Sequence, residues 1–197
     1  MQCYNDVDLS SIRRADMKAL KHFITITHHR HLVRKGCFKV GLYWQGLTHD
    51  LSKYHPTEFM VGAKYYQGTR SPNSEERSRF GYSKAWMHHK GRNRHHFEYW
   101  TDLNRETRRY DSVPMPRKYL VEMVMDRRAA CMTYEGENYS AGSELRYLEK
   151  SIEKELLHPQ TCRELTYILT MLRDKGEKET FRYLKKEVLK GKPFPWE

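Results

Sequence analysis

The chain of 197 residues carries 36 Lys and Arg against 25 Asp and Glu, a formal net charge of +11 with His neutral. This length favours one domain, and such a basic surface either attracts anions such as nucleotides, nucleic acid or phosphorylated small molecules, or only keeps the protein in solution. No run approaches the roughly 18 apolar residues of a membrane span, and the N-terminus lacks a basic-then-apolar signal pattern, so we expect a cytoplasmic protein.

The four cysteines are scattered and form no CxxC pair, which is typical of free thiols in a reducing compartment. A zinc site built on cysteine is therefore not expected. They are Cys3, Cys37, Cys131 and Cys162.

Hydrophobic periodicity and helix-terminal residues predict an all-α protein of about eight helices, with almost no strand signal. The first helix is predicted to follow a cap at Ser10 or Ser11 and to end at Gly36. The polar stretch 68–83 is predicted to be a loop because it is rich in Gly, Pro and Ser. The other helices are predicted over residues 38–50, 56–68, 84–91, 95–104, 116–134, 143–157 and 159–175, with a last one ending before residue 191.

The stretch GLTHDLSKYHP places two possible metal ligands, His49 and Asp50, side by side at the end of a predicted helix. Lys53 follows His49 by four residues, so a continuing helix would bring both onto one face, where Lys53 could contact a phosphate oxygen. The plain alternative is an exposed lysine near a helix C-terminus, where the helix dipole favours cations.

Several other histidines lie on separate predicted helices. His28 and His29 both lie on or near the apolar side of the first helix, and a lone inward histidine is more often a core residue than a ligand. In HHKGRNRHH, a basic turn joins two histidine pairs, and the anchors Trp86 and Trp100 favour His89 and His96 as the inward members. Arg92 and Arg94 in this turn could contact a substrate phosphate, or belong to a nucleic-acid-binding patch with nearby aromatic residues.

Asp126 is predicted to lie on a largely apolar, small-residue face of its helix, beside Met123, Ala129 and Ala130. A buried carboxylate is costly unless it is paired or bound to a metal. Asp126 is therefore either a metal ligand or one half of an ion pair with arginine. Imidazole and carboxylate together suit Mn, Fe, Zn, Co or Ni better than Ca.

These motifs resemble the HD-domain superfamily of metal-dependent phosphohydrolases, an all-α superfamily named for an H…HD…D ligand set. The segments HDLSKY, AWMHHKGRNRHHFEYW, MPRKYLVEMVMD and LHPQT are more closely similar to an uncharacterised HD-like family of bacteria and phages, over about residues 15–175. The resemblance implies a helical bundle that binds one or two divalent transition-metal ions. It implies that residues 1–140 form the metal-binding core, with 141–197 packed on it in one continuous domain. The ligands that it implies are His28, His49, Asp50 and Asp126, joined by His89 and His96 in a two-metal variant with Asp50 bridging.

The resemblance further implies a phosphohydrolase that uses a metal-activated water, with Asp50 and Lys53 in catalytic roles and Lys53, Arg92 and Arg94 binding the substrate. The expected substrate is an anionic small molecule, of which a nucleotide is the first choice, and an oligomer is possible. Two alternatives remain open. One is a nucleic-acid-binding or regulatory protein on an HD-like scaffold, and the other is a dinuclear iron oxygenase.

Overall fold

The structure is a computed structural model that describes the backbone of residues 9–197 and the side chains from residue 15 onward. Over these residues the fold is all-α, as predicted, with nine α-helices and one small hairpin. The helices are α1 Leu9–Val40, α2 Tyr43–Thr48, α3 Pro56–Tyr65, α4 Pro72–Phe80, α5 Lys84–Lys90, α6 Arg117–Glu135, α7 Ser143–Lys150, α8 Glu153–Leu156 and α9 Pro159–Lys186. Short 3-10 turns cover Leu51–Tyr54, Phe97–Tyr99, Gly136–Asn138 and Val188–Lys190.

Helix α1 is longer than its sequence predicts, because Gly36 does not end it. A Cβ atom at Gly36 would lie 2.7 Å from Sδ of Met125, so the glycine allows α6 to pack closely against α1. The chain turns instead at Gly41, which has a φ of 91° that favours glycine. The predicted capping role of Ser10 or Ser11 lies outside the described side chains.

The polar stretch that was predicted to be a loop contains helix α4. Its start has an ordinary local signal, Pro72 in the first turn. Its position depends on a buried carboxylate, Glu76, whose Oε2 accepts from Ser83 Oγ at 2.5 Å and from the backbone N–H of Ala85 at 3.3 Å. These bonds connect α4 to the start of α5, and the composition of the stretch does not reveal that its glutamate has these buried partners.

The predicted helix over 95–104 is wrong. Only Phe97–Tyr99 forms a 3-10 turn, and the antiparallel strands β1, Thr101–Asn104, and β2, Arg109–Ser112, follow. The turn between them depends on Asn104, whose side-chain oxygen accepts from the backbone N–H groups of Glu106 and Thr107. Strands of four residues are too short to show alternation in a sequence.

Helix α9 joins two predicted helices across a kink at Gly176, where φ is 73° and ψ is 178°. By contrast, the single helix predicted over 143–157 is two helices in the structure, α7 and α8.

Helix α6 lies at the centre of one hydrophobic core that includes residues from Val33 in α1 to Phe194 near the C-terminus. Its Leu120, Val121 and Val124 are fully buried. The C-terminal helices thus share the core with the N-terminal ones, while the division at residue 140 stays a prediction. No described helix has both the length and the apolar character that crossing a membrane requires.

Cys37, Cys131 and Cys162 are free thiols, as predicted, and Cys3 lies outside the described residues.

Candidate metal centre

The backbone between α2 and the following 3-10 turn explains how two neighbouring side chains reach one centre. Helix α2 ends at Thr48, His49 has φ −48° and ψ 125°, and Asp50 has φ 52° and ψ 28°. Asp50 is thus in the left-handed region, which Asp tolerates better than most residues other than Gly. Because neither residue is helical, His49 and Asp50 need not diverge as helical neighbours do. Both are almost completely buried.

One side of the centre consists of His29, His49, Asp50 and Asp126, whose potential ligand atoms lie within 4.8 Å of one another. His29 Nε2 donates to Asp126 Oδ1 at 2.9 Å. His49 Nε2 lies 3.4 Å from both Asp50 Oδ2 and Asp126 Oδ1. Helices α1 and α6 and the turn after α2 therefore supply one group with the spacing of a metal site.

The other side consists of Asp50, His89, His95 and His96, with the same spacing. Nε2 of His89 lies 3.3 Å from Asp50 Oδ1, and Nε2 of His95 lies 3.4 Å from the same oxygen. Asp50 therefore faces one group with Oδ2 and the other with Oδ1.

Two buried carboxylates hold the histidines from behind. Glu122 Oε1 lies 3.0 Å from Nδ1 of His49 and 3.2 Å from Nδ1 of His95. Glu58 Oε2 lies 2.8 Å from Nδ1 of His89. Each carboxylate fixes its ring so that Nε2 faces the centre, which is how metal-ligating histidines are commonly oriented. His49, His95 and Glu122 also have metal spacing among themselves, but there Glu122 already occupies the Nδ1 side.

Several buried polar atoms in the centre have no hydrogen-bond partner of acceptable geometry among the described residues. Orphaned buried groups are rare in proteins and require an explanation such as an ion. They belong to the two groups of candidate ligands around Asp50, and a set of imidazole nitrogens and carboxylate oxygens is what a transition-metal ion binds. The residues present therefore fit a metal. The atoms are His49 Nε2, His95 Nε2, His96 Nε2 and Asp50 Oδ1. Asp50 Oδ2 has the Lys53 ammonium at 2.7 Å.

The charges of the centre are strongly coupled. Burial alone would lower the pKa of His49, but the carboxylates of Asp50, Asp126 and Glu122 outweigh it and raise that pKa to about 10. Burial would raise the pKa of Asp126, but its hydrogen bond from His29 and the nearby His49 hold it well below the usual range. Without a metal, therefore, the carboxylates are ionised and the His49 imidazole is protonated on both nitrogens, which makes it a cation.

Lys53 lies at the open side of the centre. Its ammonium is 2.7 Å from Asp50 Oδ2, and its side chain remains 27% exposed. Burial would lower its pKa, but the carboxylates of Asp50 and Asp126 raise the pKa above the ordinary value. Lys53 is therefore a permanent cation at neutral pH, placed beside the candidate ligands.

A cavity of about 470 Å³ opens over the centre. Its walls include Lys53, several candidate ligands and the aromatic side chains Tyr66, Trp86 and Tyr134. Arg70 and Arg127 also line it, each ion-paired with a glutamate, Glu75 and Glu153 respectively. The volume is in the range of small-molecule sites.

The structure brings five of the six predicted metal ligands together, namely His49, Asp50, His89, His96 and Asp126. The choice of His28 is corrected, because its side chain is exposed while its neighbour His29 is buried and bonded to Asp126. The two residues point about 100° apart on the helix, so only one can face the centre.

Arg92 and Arg94, predicted to bind the substrate, are exposed and do not line the cavity. Arg92 donates to the backbone carbonyl of His88 at 3.2 Å, and the Arg94 guanidinium lies over the rings of Tyr99 and Tyr119. Their side chains lie on the surface, while His89, His95 and His96 on either side of them belong to the centre. Nothing at this site places them near a substrate phosphate.

Sequence reasoning missed His95, Glu58 and Glu122. His95 was set aside because only one member of each histidine pair was expected to face inward, yet the non-helical backbone at 95–96 lets both do so. Glu122 could have been found, since it precedes Asp126 by four residues on α6 and shares its face. Glu58 has no comparable local signal.

The matched region of the chain covers the whole centre. Residues 18–171 match DUF5662, described as a family of unknown function. The chain belongs to this family. Its candidate ligands, from His29 to Asp126, and both outer carboxylates lie inside the match to DUF5662. No curated protein and no solved structure matches the chain.

Proposed function

We propose that the protein is a metal-dependent phosphohydrolase with an HD-type centre, acting on a nucleotide or a related phosphoester. One observation carries the proposal: Asp50 is shared by two groups of candidate ligands, with Oδ2 toward one group and Oδ1 toward the other. Two adjacent metal positions are typical of phosphatases and nucleases, in which two ions stabilise the attacking and leaving oxygens.

His29, His49, Asp50 and Asp126 would hold one divalent transition-metal ion, and Asp50, His89, His95 and His96 a second. Such ions supply Lewis acidity, which lowers the pKa of a coordinated water and neutralises phosphate charge. Glu58 and Glu122 keep the imidazoles oriented. We assign to Lys53 the contact with a phosphate oxygen, since its cation lies beside Asp50 and faces the cavity.

Metal content and phosphoester hydrolysis together test the proposal. The protein is loaded with Mn²⁺ and assayed for bound metal and for hydrolysis of nucleoside phosphates. A His49→Ala, Asp50→Ala variant should lose the metal and the activity, because it removes one imidazole from the first group and the carboxylate that both groups share.

The adjacent histidines offer a matched pair of variants. His29→Ala should lower metal affinity by more than about 100-fold, since losing even an outer hydrogen-bonding partner costs about 10- to 100-fold. His28→Ala, one residue away and exposed, should leave both readouts unchanged. If the wild type binds no more metal than the double variant, the metal centre is refuted. If it binds metal but hydrolyses no phosphoester, the assigned reaction is refuted.

A dinuclear iron oxygenase is the second candidate, because five imidazoles and two carboxylates around two positions also suit iron. Two Fe per chain with substrate-dependent oxygen uptake, and no phosphoester hydrolysis, would favour it over the phosphohydrolase.

A further inference from the structure

Beside the candidate metal centre, the cavity carries a second group of polar side chains to which the proposed function gives no role. Glu98, Arg127 and Glu153 line the cavity together with Trp86. The Trp86 ring lies edge-on to His96, with ring centroids 4.7 Å apart. The second group therefore adjoins the metal centre through one shared aromatic side chain.

Glu98 has one satisfied and one unsatisfied carboxylate oxygen. Oε1 accepts from the indole N–H of Trp86 at 3.2 Å. Oε2 is buried and has no hydrogen-bond partner among the described residues. Leaving a buried acceptor unpaired is costly, so this oxygen is suited to a donor brought by a ligand.

Arg127 gives a second, independent observation on helix α6. It is only 8% exposed, and its Nη2 donates to Glu153 Oε2 at 2.5 Å. Its Nε has no partner among the described residues. Its guanidinium lies 5.8 Å from the centroid of the Tyr147 ring. An unpaired donor and an unpaired acceptor thus belong to side chains that line the same cavity.

We propose that Glu98, Arg127 and Glu153 form a subsite for hydroxyl groups, so that the substrate is the phosphate ester of a sugar or of another polyhydroxylated compound. This inference rests on the proposed function, because the phosphate of the same compound is placed at the metal centre. A hydroxyl group both donates and accepts, so neighbouring hydroxyls can donate to Glu98 and accept from Arg127. A phosphoester without hydroxyls leaves both groups unpaired, and sites of this kind discriminate strongly against such analogues.

Ribose-5-phosphate and phenyl phosphate serve as the two probes, with the Mn²⁺-loaded protein. Calorimetry measures the binding of each probe, and phosphate release measures turnover. We expect the wild type to bind ribose-5-phosphate more tightly than phenyl phosphate. Glu98→Gln, which keeps the side-chain volume, should weaken ribose-5-phosphate binding by about 10- to 100-fold and leave phenyl phosphate binding unchanged.

Glu153→Gln should also weaken ribose-5-phosphate binding, because it removes the carboxylate that holds the Arg127 guanidinium in position. Glu155→Gln is the matched control, since it makes the same charge change two residues away at an exposed position. Bound Mn²⁺ is measured in each variant and should not change. Equal binding of the two probes by the wild type, no binding of ribose-5-phosphate, or an equal loss for both probes in Glu98→Gln would overturn the subsite. If ribose-5-phosphate binding depends on Glu98 but no phosphoester is hydrolysed, the subsite stands and the proposed reaction fails.

Discussion

At the scale of single residues, the centre depends on the conformation of Asp50. A residue other than Gly in the left-handed region is uncommon, and such residues concentrate at functional sites. Here Asp50 precedes the 3-10 turn Leu51–Tyr54, and its carboxylate belongs to both groups of candidate ligands. The carboxylate stays ionised because, although burial opposes it, His49 and Lys53 hold the pKa of Asp50 well below its ordinary value.

The coupling of His49 to its carboxylates makes metal binding depend on pH. In the metal-free protein the pKa of His49 is raised to about 10, so its ring is protonated at neutral pH. A metal needs the neutral ring, so binding must release this proton, and affinity should rise with pH until about pH 10. Calorimetry in buffers of different ionisation enthalpy should show release of about one proton at neutral pH from this residue. An affinity that does not change between neutral pH and pH 9 would contradict the expectation. Asp50→Asn is the control. Asn tolerates the left-handed region as Asp does, but the variant lacks the shared carboxylate and should not bind the metal.

At the scale of secondary-structure elements, short and interrupted pieces place the ligands. Only His29, His89 and Asp126 lie on α-helices, while His49, Asp50, His95 and His96 lie on turns between elements. The long helices α1 and α6 position His29 and Asp126, and the turns orient side chains that could not reach the centre from a regular helix. On helix α1 only His29 of the pair His28 and His29 faces the centre. Outside the helices, both His95 and His96 belong to it.

The packing of α3 on α1 depends on Gly62. A Cβ atom there would lie 2.1 Å from Nε2 of His22, a ring held between Phe59 and Tyr66. Gly62→Ala would gain up to about 1 kcal/mol from helix propensity. The clash should outweigh this gain and lower the free energy of unfolding by about 1–3 kcal/mol, as measured by urea denaturation.

The same change in a His22→Ala background is the test of that explanation. Without the ring the clash is absent, so Gly62→Ala should then be neutral or stabilising. An equal loss in both backgrounds would show that His22 is not the cause.

At the scale of the whole molecule, the centre joins segments that are far apart in sequence. Its candidate ligands run from His29 on α1 to Asp126 on α6, and α6 packs on the C-terminal helices through the shared core. A ligand that binds only when these segments are together stabilises the folded state as a whole.

Metal removal should therefore lower the melting temperature. At a free-metal concentration of one hundred times Kd, binding adds about 2.7 kcal/mol to the free energy of unfolding. For a chain of this size that corresponds to a shift of about 5–10 °C. Calorimetry with and without a chelator measures the shift, and Asp50→Asn should show none. A wild type whose melting temperature ignores the chelator would contradict a metal site that spans the fold.

The sequence by itself determined the all-α class, the outline of most helices and five of the six predicted ligands as a group. It could do so because apolar periodicity and helix-ending residues act locally, and because a metal ligand must be one of a few residue types. Only the tertiary structure decided between His28 and His29. It also showed that His95 and both outer carboxylates belong to the centre, and that Arg92 and Arg94 lie outside the cavity. Those outcomes depend on where distant elements pack and on backbone directions outside helices. The apolar neighbours of Asp126 in the sequence indicate that its carboxylate needs a charged or metal partner. Only the fold shows that His29 and His49 are the residues beside it.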